Sequence, residues 1–180
     1  GRIVACGTGA TGAIDKLQQI LGVALPPATR KVVGEQLRAF MGDAKFEEFR
    51  RFQQSQQPVV FVGPYEHHSN EVTWRQGLAT VVEVNLAADG GMDLEHLRHL
   101  LRLPEYQDRL RIGSFSAASN VTGIGSDTRA IARLLHQHGA LSFWDLAAAG
   151  PSDPWHHPRP RPPQCSSSVC LLVAGRIQRE

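Results

Sequence analysis

The sequence predicts an α/β domain with a mainly parallel sheet, and three observations carry that expectation. Short β-rich runs alternate with amphipathic stretches over the first 150 residues. The strand runs are apolar, as in residues 59–62, which suits strands covered on both faces. Polar, chemically useful residues recur just after those runs, at Thr11, His67, Asn120 and Asp145. In open parallel sheets ligands sit at the carboxyl ends of the strands, so such residues converge on one crevice.

The elements follow in order. Residues 3–6 read as a strand that ends in the glycine turn Gly7-Thr8-Gly9. A helix is expected from about Thr11, with Ile14, Leu17, Ile20 and Leu21 at helical spacing, stopped by Leu25-Pro26-Pro27. Residues 30–56 form a charged helical excursion with apolar contacts from Val33, Leu37, Phe40, Phe46 and Phe49. Residues 59–62 are a strand closed by Gly63-Pro64, residues 70–78 a short helix, and residues 80–84 a further strand. Residues 93–101 have an acidic start and one leucine face, as an amphipathic helix should. Residues 110–115 make a strand, residues 127–138 a helix stopped at Gly139, and residues 140–144 a strand with Asp145 at its end.

Composition excludes some functions. The chain has 180 residues, 42% hydrophobic and 20% charged, with a net charge of +2, and is long enough to bury one core. It has no basic stripe before residue 150, which argues against nucleic acid as a partner. Its longest apolar runs fall far short of the ~18–20 residues that span a bilayer, which argues against a membrane. The chain starts at Gly1 on a strand-like run without a signal-peptide pattern, so a missing beginning is expected. Three cysteines, Cys6, Cys165 and Cys170, do not form a disulfide framework, and a reducing, cytoplasmic compartment is the expectation. A metal site from Cys165, Cys170, His156 and His157 is weaker than two incidental thiols, and no metal is expected.

After Pro151 the character changes. Pro154, Pro158, Pro160, Pro162 and Pro163, interleaved with Trp155 and basic residues, cannot continue a βα pattern. This irregular Pro/Arg-rich tail (151–180) reads as a polyproline linker or the product of a shifted reading frame. A proline-motif ligand for a partner domain is the alternative. Residues 169–174 are able to add a short strand.

Four segments carry the chemistry. Gly7-Thr8-Gly9-Ala10-Thr11-Gly12 fits G-x-G-x-x-G, in which glycines permit a tight turn and helix N-terminal amides bind phosphate. A dinucleotide site also wants an acid roughly 20 residues on, at the end of the next strand. Glu35 has the distance but sits in a helical stretch, and a turn without ligand stays open. Tyr65-Glu66-His67-His68-Ser69-Asn70 with Trp74 beyond, taken alone, is a surface loop or a weak metal pair. Ser119-Asn120-Val121-Thr122-Gly123 is, alone, a turn in which Ser119 and Asn120 satisfy backbone groups. His136-Gln137-His138-Gly139-Ala140 precedes Asp145, and its histidines suit a solvated helix end.

Together and in this order, the four segments resemble the class V aminotransferase and cysteine desulfurase family of pyridoxal 5'-phosphate (PLP) enzymes. Gly9-Ala10-Thr11 is similar to the family's Gly-Ala-Thr phosphate turn, Glu66 to Asn70 to its Glu-His-His-(Ser/Ala)-Asn segment, Ser119 to Gly123 to Ser-Asn-Val-x-Gly, and His136 to Asp145 to His-x-x-Gly-Ala…Asp. The resemblance runs from about Gly7 to Pro151. It implies an incomplete three-layer αβα large domain of fold type I over residues 1–150. It also implies a cofactor set of Gly9, Ala10, Thr11, His67, Asn120 and Asp145. The Ala10 and Thr11 amides and the Thr11 hydroxyl would hold the phosphate, and His67 would stack on the pyridine ring. Asn120 would bond the phenolic oxygen or a substrate carboxylate, and Asp145 would keep the ring nitrogen protonated so the ring is an electron sink.

Two departures limit the resemblance. Desulfurases often carry glutamine three residues after the aspartate, where this chain has Ala148. The family's Schiff-base lysine follows the aspartate by some tens of residues. The lysines here are Lys16, Lys31 and Lys45, all before Asp145. The expectation is therefore a fragment of a PLP-dependent transferase or lyase acting on amino-acid substrates, inactive alone, from a family of homodimers. A non-catalytic interaction protein using the tail, or a dinucleotide-binding oxidoreductase domain, are the alternatives.

Overall fold

The computed structural model describes residues 6–149 and 171–172. Six α-helices are described: α1 (Gly9–Ile20), α2 (Pro27–Met41), α3 (Asp43–Gln56), α4 (Val72–Gln76), α5 (Leu94–Leu101) and α6 (Thr128–Gln137). They surround a sheet of β1 (Val59–Val62), β2 (Thr80–Glu83), β3 (Arg111–Ser116), β4 (Leu141–Asp145) and β5 (Leu171–Leu172), in spatial order β2-β1-β3-β4-β5. The pairings among β1 to β4 are parallel, and β5 runs antiparallel to β4. The expected α/β class with a mainly parallel sheet is what the chain adopts.

Strand alternation explains the layers. Side chains point to opposite faces along a strand, so β1 divides Val59 and Phe61 from Val60 and Val62. Val59 and Phe61 join Phe115 and Trp144 in a core covered by α5 and α6, through Leu97, Leu100, Leu101, Ile131, Leu134 and Leu135. Val60 and Val62 join Ile112 and Phe143 in a second core covered by α1 and α4, through Ile14, Leu17 and Trp74. All four β1 side chains are completely buried, which is why the run is apolar without alternation. Helices on both sides of the sheet give the three αβα layers.

Local chemistry sets the helix starts. Asp93 accepts the His96 amide at 2.9 Å and Asp127 accepts the Ala130 amide at 3.0 Å, so each caps the helix that follows it. The expected stop at Leu25-Pro26-Pro27 is corrected. α1 already ends at Ile20, with Gly22 at φ +71°, and Pro27 instead opens α2 as its first residue. Proline is favoured there because its missing N–H has no intrahelical partner in any case. The charged excursion becomes the α2–α3 hairpin, broken at Gly42, with Phe46 buried but Phe40 90% exposed. His136 departs from a solvated helix end: it is half-buried, with Nε2 3.1 Å from the Ser142 hydroxyl.

Of the expected strand at 169–174, β5 is described, with Leu171 opposite Asp145. The strand expected at residues 3–6 falls, but for Cys6, outside the described residues. Pro151, Cys165, Cys170, His156, His157 and the Pro/Arg-rich segment also lie outside them.

Gly113 is where α6 meets the sheet. A Cβ there would lie 2.5 Å from Leu135 Cδ1 and 2.6 Å from Phe115 Cε2. Gly113→Ala is expected to overpack this core and lower the unfolding free energy by about 1–3 kcal/mol. Urea unfolding followed by tryptophan fluorescence measures it, and an unchanged midpoint would mean that α6 does not pack this closely.

Candidate functional site

The carboxyl end of the sheet and the start of α1 enclose a cavity of about 220 Å³. All six sequence-derived site residues line it: Gly9, Ala10 and Thr11 from α1, His67 from the loop after β1, Asn120 from the loop after β3, and Asp145 from the end of β4. Thr8, Ser69, Ser116, Ala118, Ala147 and Ala148 complete the wall. Four segments distant in sequence thus meet at one place.

Backbone geometry opens the α1 side. Gly9 has φ +65°, a left-handed value that glycine adopts without strain, and it turns the chain into the helix. Thr8 stands at the N-cap without a side-chain capping bond. The first amides of a helix lack intrahelical acceptors, so this end is suited to an anionic group.

Parallel pairing supplies the opposite wall. In the β3–β4 register Ser116 is the partner of Asp145, and both side chains leave the sheet on the α1 side. Asp145 is only 5% exposed, with Oδ1 accepting the Ala147 amide at 2.8 Å. A carboxylate so placed faces the cavity from a rigid strand end. The cavity therefore joins an amide-rich helix start to a fixed carboxylate, a donor set that fits a molecule with an anionic arm and a basic ring nitrogen. PLP is such a molecule.

His67 precedes a 3-10 turn, His68–Asn70. Its Nδ1 accepts the Ser69 amide at 3.3 Å and lies 2.8 Å from the Ser69 hydroxyl. A backbone N–H can only donate, so the proton of the neutral imidazole sits on Nε2. In the loop after β3, Ser119 is buried and its hydroxyl accepts the Val121 and Thr122 amides at 3.3 and 3.2 Å. Ser119 thus does the turn-forming work expected of this segment, while Asn120 is exposed on the cavity wall. Glu35, the acid that a dinucleotide site would need, is an exposed residue within α2 and not at a strand end.

A role for Glu66 emerges only from contacts made in the fold. Its Oε1 accepts the Gly63 and Ser116 amides at 3.2 and 2.9 Å, and its Oε2 accepts the Ser116 hydroxyl and the Asn70 side-chain amide, both at 2.7 Å. A Cβ at Gly63 would lie 2.5 Å from Oε1, so the carboxylate needs glycine there. The signal in the sequence was a glycine ending the strand three residues before an acid. Burial pushes the Glu66 carboxyl above its ordinary value, against the lowering effect of its hydrogen bonds to Ser116, Asn70 and Gly63.

Comparison with known proteins gives the following. The family model described as aminotransferase class-V matches residues 48–157, more than half of the chain. The phosphate-turn segment at Gly9-Ala10-Thr11 lies before that match. A probable cysteine desulfurase of Chlamydia muridarum is 34% identical over 100 residues, covering 53% of this chain and 24% of its own length. One from Halalkalibacterium halodurans is 29% identical over 96 residues, covering 51% and 22%. The chain spans about a quarter of the length of these curated relatives. Among solved structures, a cysteine desulfurase of Escherichia coli is 31% identical with a TM-score of 0.43, covering 53% of this chain and 24% of that one.

The Glu66 shift has a sign that a titration reads. A carboxyl whose folded value is raised binds its proton more tightly in the folded state. Its stabilising contribution is complete below the ordinary glutamate value and is lost as pH rises through the raised one. Wild type is therefore expected to lose stability relative to Glu66→Gln as pH rises above the ordinary glutamate range, the other carboxylates cancelling in the difference. Urea unfolding at stepped pH tests it; a difference that stays flat or grows with pH contradicts the direction.

Proposed function

The chain belongs to the aminotransferase class-V family, and from that premise we propose that the cavity at the carboxyl end of its sheet is a PLP site. The family is PLP-dependent and acts on amino-acid substrates. The observation that supports the reading is the meeting of Thr11 and Asp145, which are 134 positions apart (145 − 11), in one cavity on one face of the sheet. When bound, the cofactor supplies an electron sink for a carbanion formed at the substrate α-carbon.

The chain's own residues divide the work. The Ala10 and Thr11 amides, at the positive end of the α1 dipole, bind the phosphate, with the Thr11 hydroxyl beside them. Asp145 holds a proton at the ring nitrogen; its burial and its single orientation, fixed by the Ala147 amide, keep that charge directed. His67 offers its flat ring to the cofactor and a proton donor at Nε2. Asn120 offers an amide to an oxygen of cofactor or substrate.

Ala147 and Ala148 also line the cavity. At Ala148, where desulfurases often carry glutamine, no polar side chain reaches in, and at this one position the chain departs from the desulfurase pattern. Lys16, Lys31 and Lys45 stand exposed on α1, α2 and α3, and none lines the cavity. We therefore propose that residues 1–150 act as part of a PLP-binding large domain, and that this 180-residue chain alone carries out neither transamination nor desulfuration.

The test is a titration of the purified chain with PLP, followed by absorbance, with borohydride treatment and peptide mapping of the product. Saturable, non-covalent binding is expected, weakened about tenfold or more by Asp145→Ala and by Thr11→Val, in line with charge-assisted contacts of roughly 1.5–3 kcal/mol. Absence of binding, or variants that bind as wild type does, overturns the site. A reduced adduct on one of the three lysines overturns the claim of inactivity.

A further inference from the structure

Beneath the cavity lies a chain of buried polar groups that the proposed cofactor chemistry does not use. Asn70 is 1% exposed and Ser114 3%, and Trp74 is completely buried. The Asn70 carbonyl oxygen accepts the Ser114 hydroxyl at 2.6 Å and the Trp74 indole N–H at 3.4 Å, and the same N–H lies 3.2 Å from the Ser114 hydroxyl. The Asn70 amide nitrogen then donates to Glu66. Low local polarity makes each of these bonds costly to leave unmade.

Glu66 joins two structures. One carboxylate oxygen takes two backbone amides, from the end of β1 and the end of β3. The other takes two side chains, Ser116 on the cavity wall and Asn70 in the turn that carries Ser69. That turn holds His67: the Asn70 amide donates to the His67 carbonyl at 2.7 Å, and Ser69 fixes the imidazole. All four contacts donate to the Glu66 carboxylate; a carboxamide there would keep the two backbone amides, and the Ser116 hydroxyl could turn to accept, but the Asn70 NH2 would lose its acceptor.

We infer that Glu66 is a positioning residue: through Asn70 it locks the His67 turn to the strand ends and so sets the ring orientation and tautomer of His67 at the cavity. It is not among the residues that line the cavity. The inference concerns the same site as the proposed function, but its test needs no cofactor.

Glu66→Gln discriminates between the two arms. The two backbone amides cannot reorient, so the carboxamide oxygen must face them and its NH2 must face the Asn70 NH2. The Asn70 arm breaks while the strand-end arm and the side-chain volume persist. Asn70→Asp restores the pair in reverse, because its second oxygen accepts from the new NH2 while the first keeps Trp74 and Ser114.

The experiment is NMR on the full 180-residue chain, reading amide hydrogen exchange and the ¹⁵N shifts of the His67 imidazole. In wild type, His67 is expected to show an acceptor-type Nδ1 and a protonated Nε2. In Glu66→Gln the Ser69 and Asn70 amides should exchange at least tenfold faster, and the two ring nitrogens should move towards a mixed-tautomer average. The amides of Val60 and Phe143 should stay unchanged. The Glu66→Gln/Asn70→Asp double variant should recover both signatures.

Uniform acceleration across the sheet, an unaltered His67 spectrum in the single variant, or no recovery in the double variant overturns the inference. If the single variant fails to fold, a double variant that folds with the wild-type His67 signature supports the pairing. Failure of both to fold overturns it, Glu66 then serving the fold rather than the ring. A wild-type chain that binds no PLP removes the cofactor reading and leaves these readouts intact.

Discussion

The parallel pairing of β3 with β4 is the constraint on which the site depends. It places Ser116 beside Asp145 and turns both side chains to the face that α1 covers. A shift of one residue would send both to the opposite face, under α5 and α6. The register is held by what lies below: Ile112 and Phe143 belong to the α1 core, and Phe115 and Trp144 to the α5–α6 core. Burial on both faces makes a slip costly in either direction. The polar end of the sheet is thus fixed by its apolar middle.

The cavity is built from two kinds of rigidity. On one side the α1 start offers backbone amides, whose direction follows from helix geometry and needs no particular side chain beyond the glycines that make the turn. On the other side Asp145 and Ser116 stand on strand ends. Between them His67 and Asn120 belong to loops, and loops need anchors. Ser119 anchors its own turn through two amides, and Glu66 anchors the other by gathering four donors. In both places the residue at the cavity is held by a neighbour that does not reach it.

Much of the fold was legible in the sequence because it is written in local patterns. The leucine face of α5, the capping aspartates and the unbroken apolar run of β1 each point to one structure. The six residues that line the cavity are expected together for another reason: their segments, weak one by one, occur in a recognisable order. The structure differs from the sequence expectation where a local signal has two meanings. Pro26-Pro27 suggests a stop and is a start, since proline both ends one helix and suits the first position of the next. A helix end is commonly exposed, which suggests a solvated His136, but its bond to Ser142 spans two elements.

The sequence by itself determined the alternation of strands and helices, the polarity of the strand ends and the kinds of chemical group available there. Only the tertiary structure decided how these groups are held where they meet. The convergence of Thr11 with Asp145, and the part played by Glu66, follow from contacts across tens of residues. Such contacts leave no periodic trace, because a carboxylate that bonds Ser116 at a separation of 50 residues looks, in sequence, like any acid in a loop.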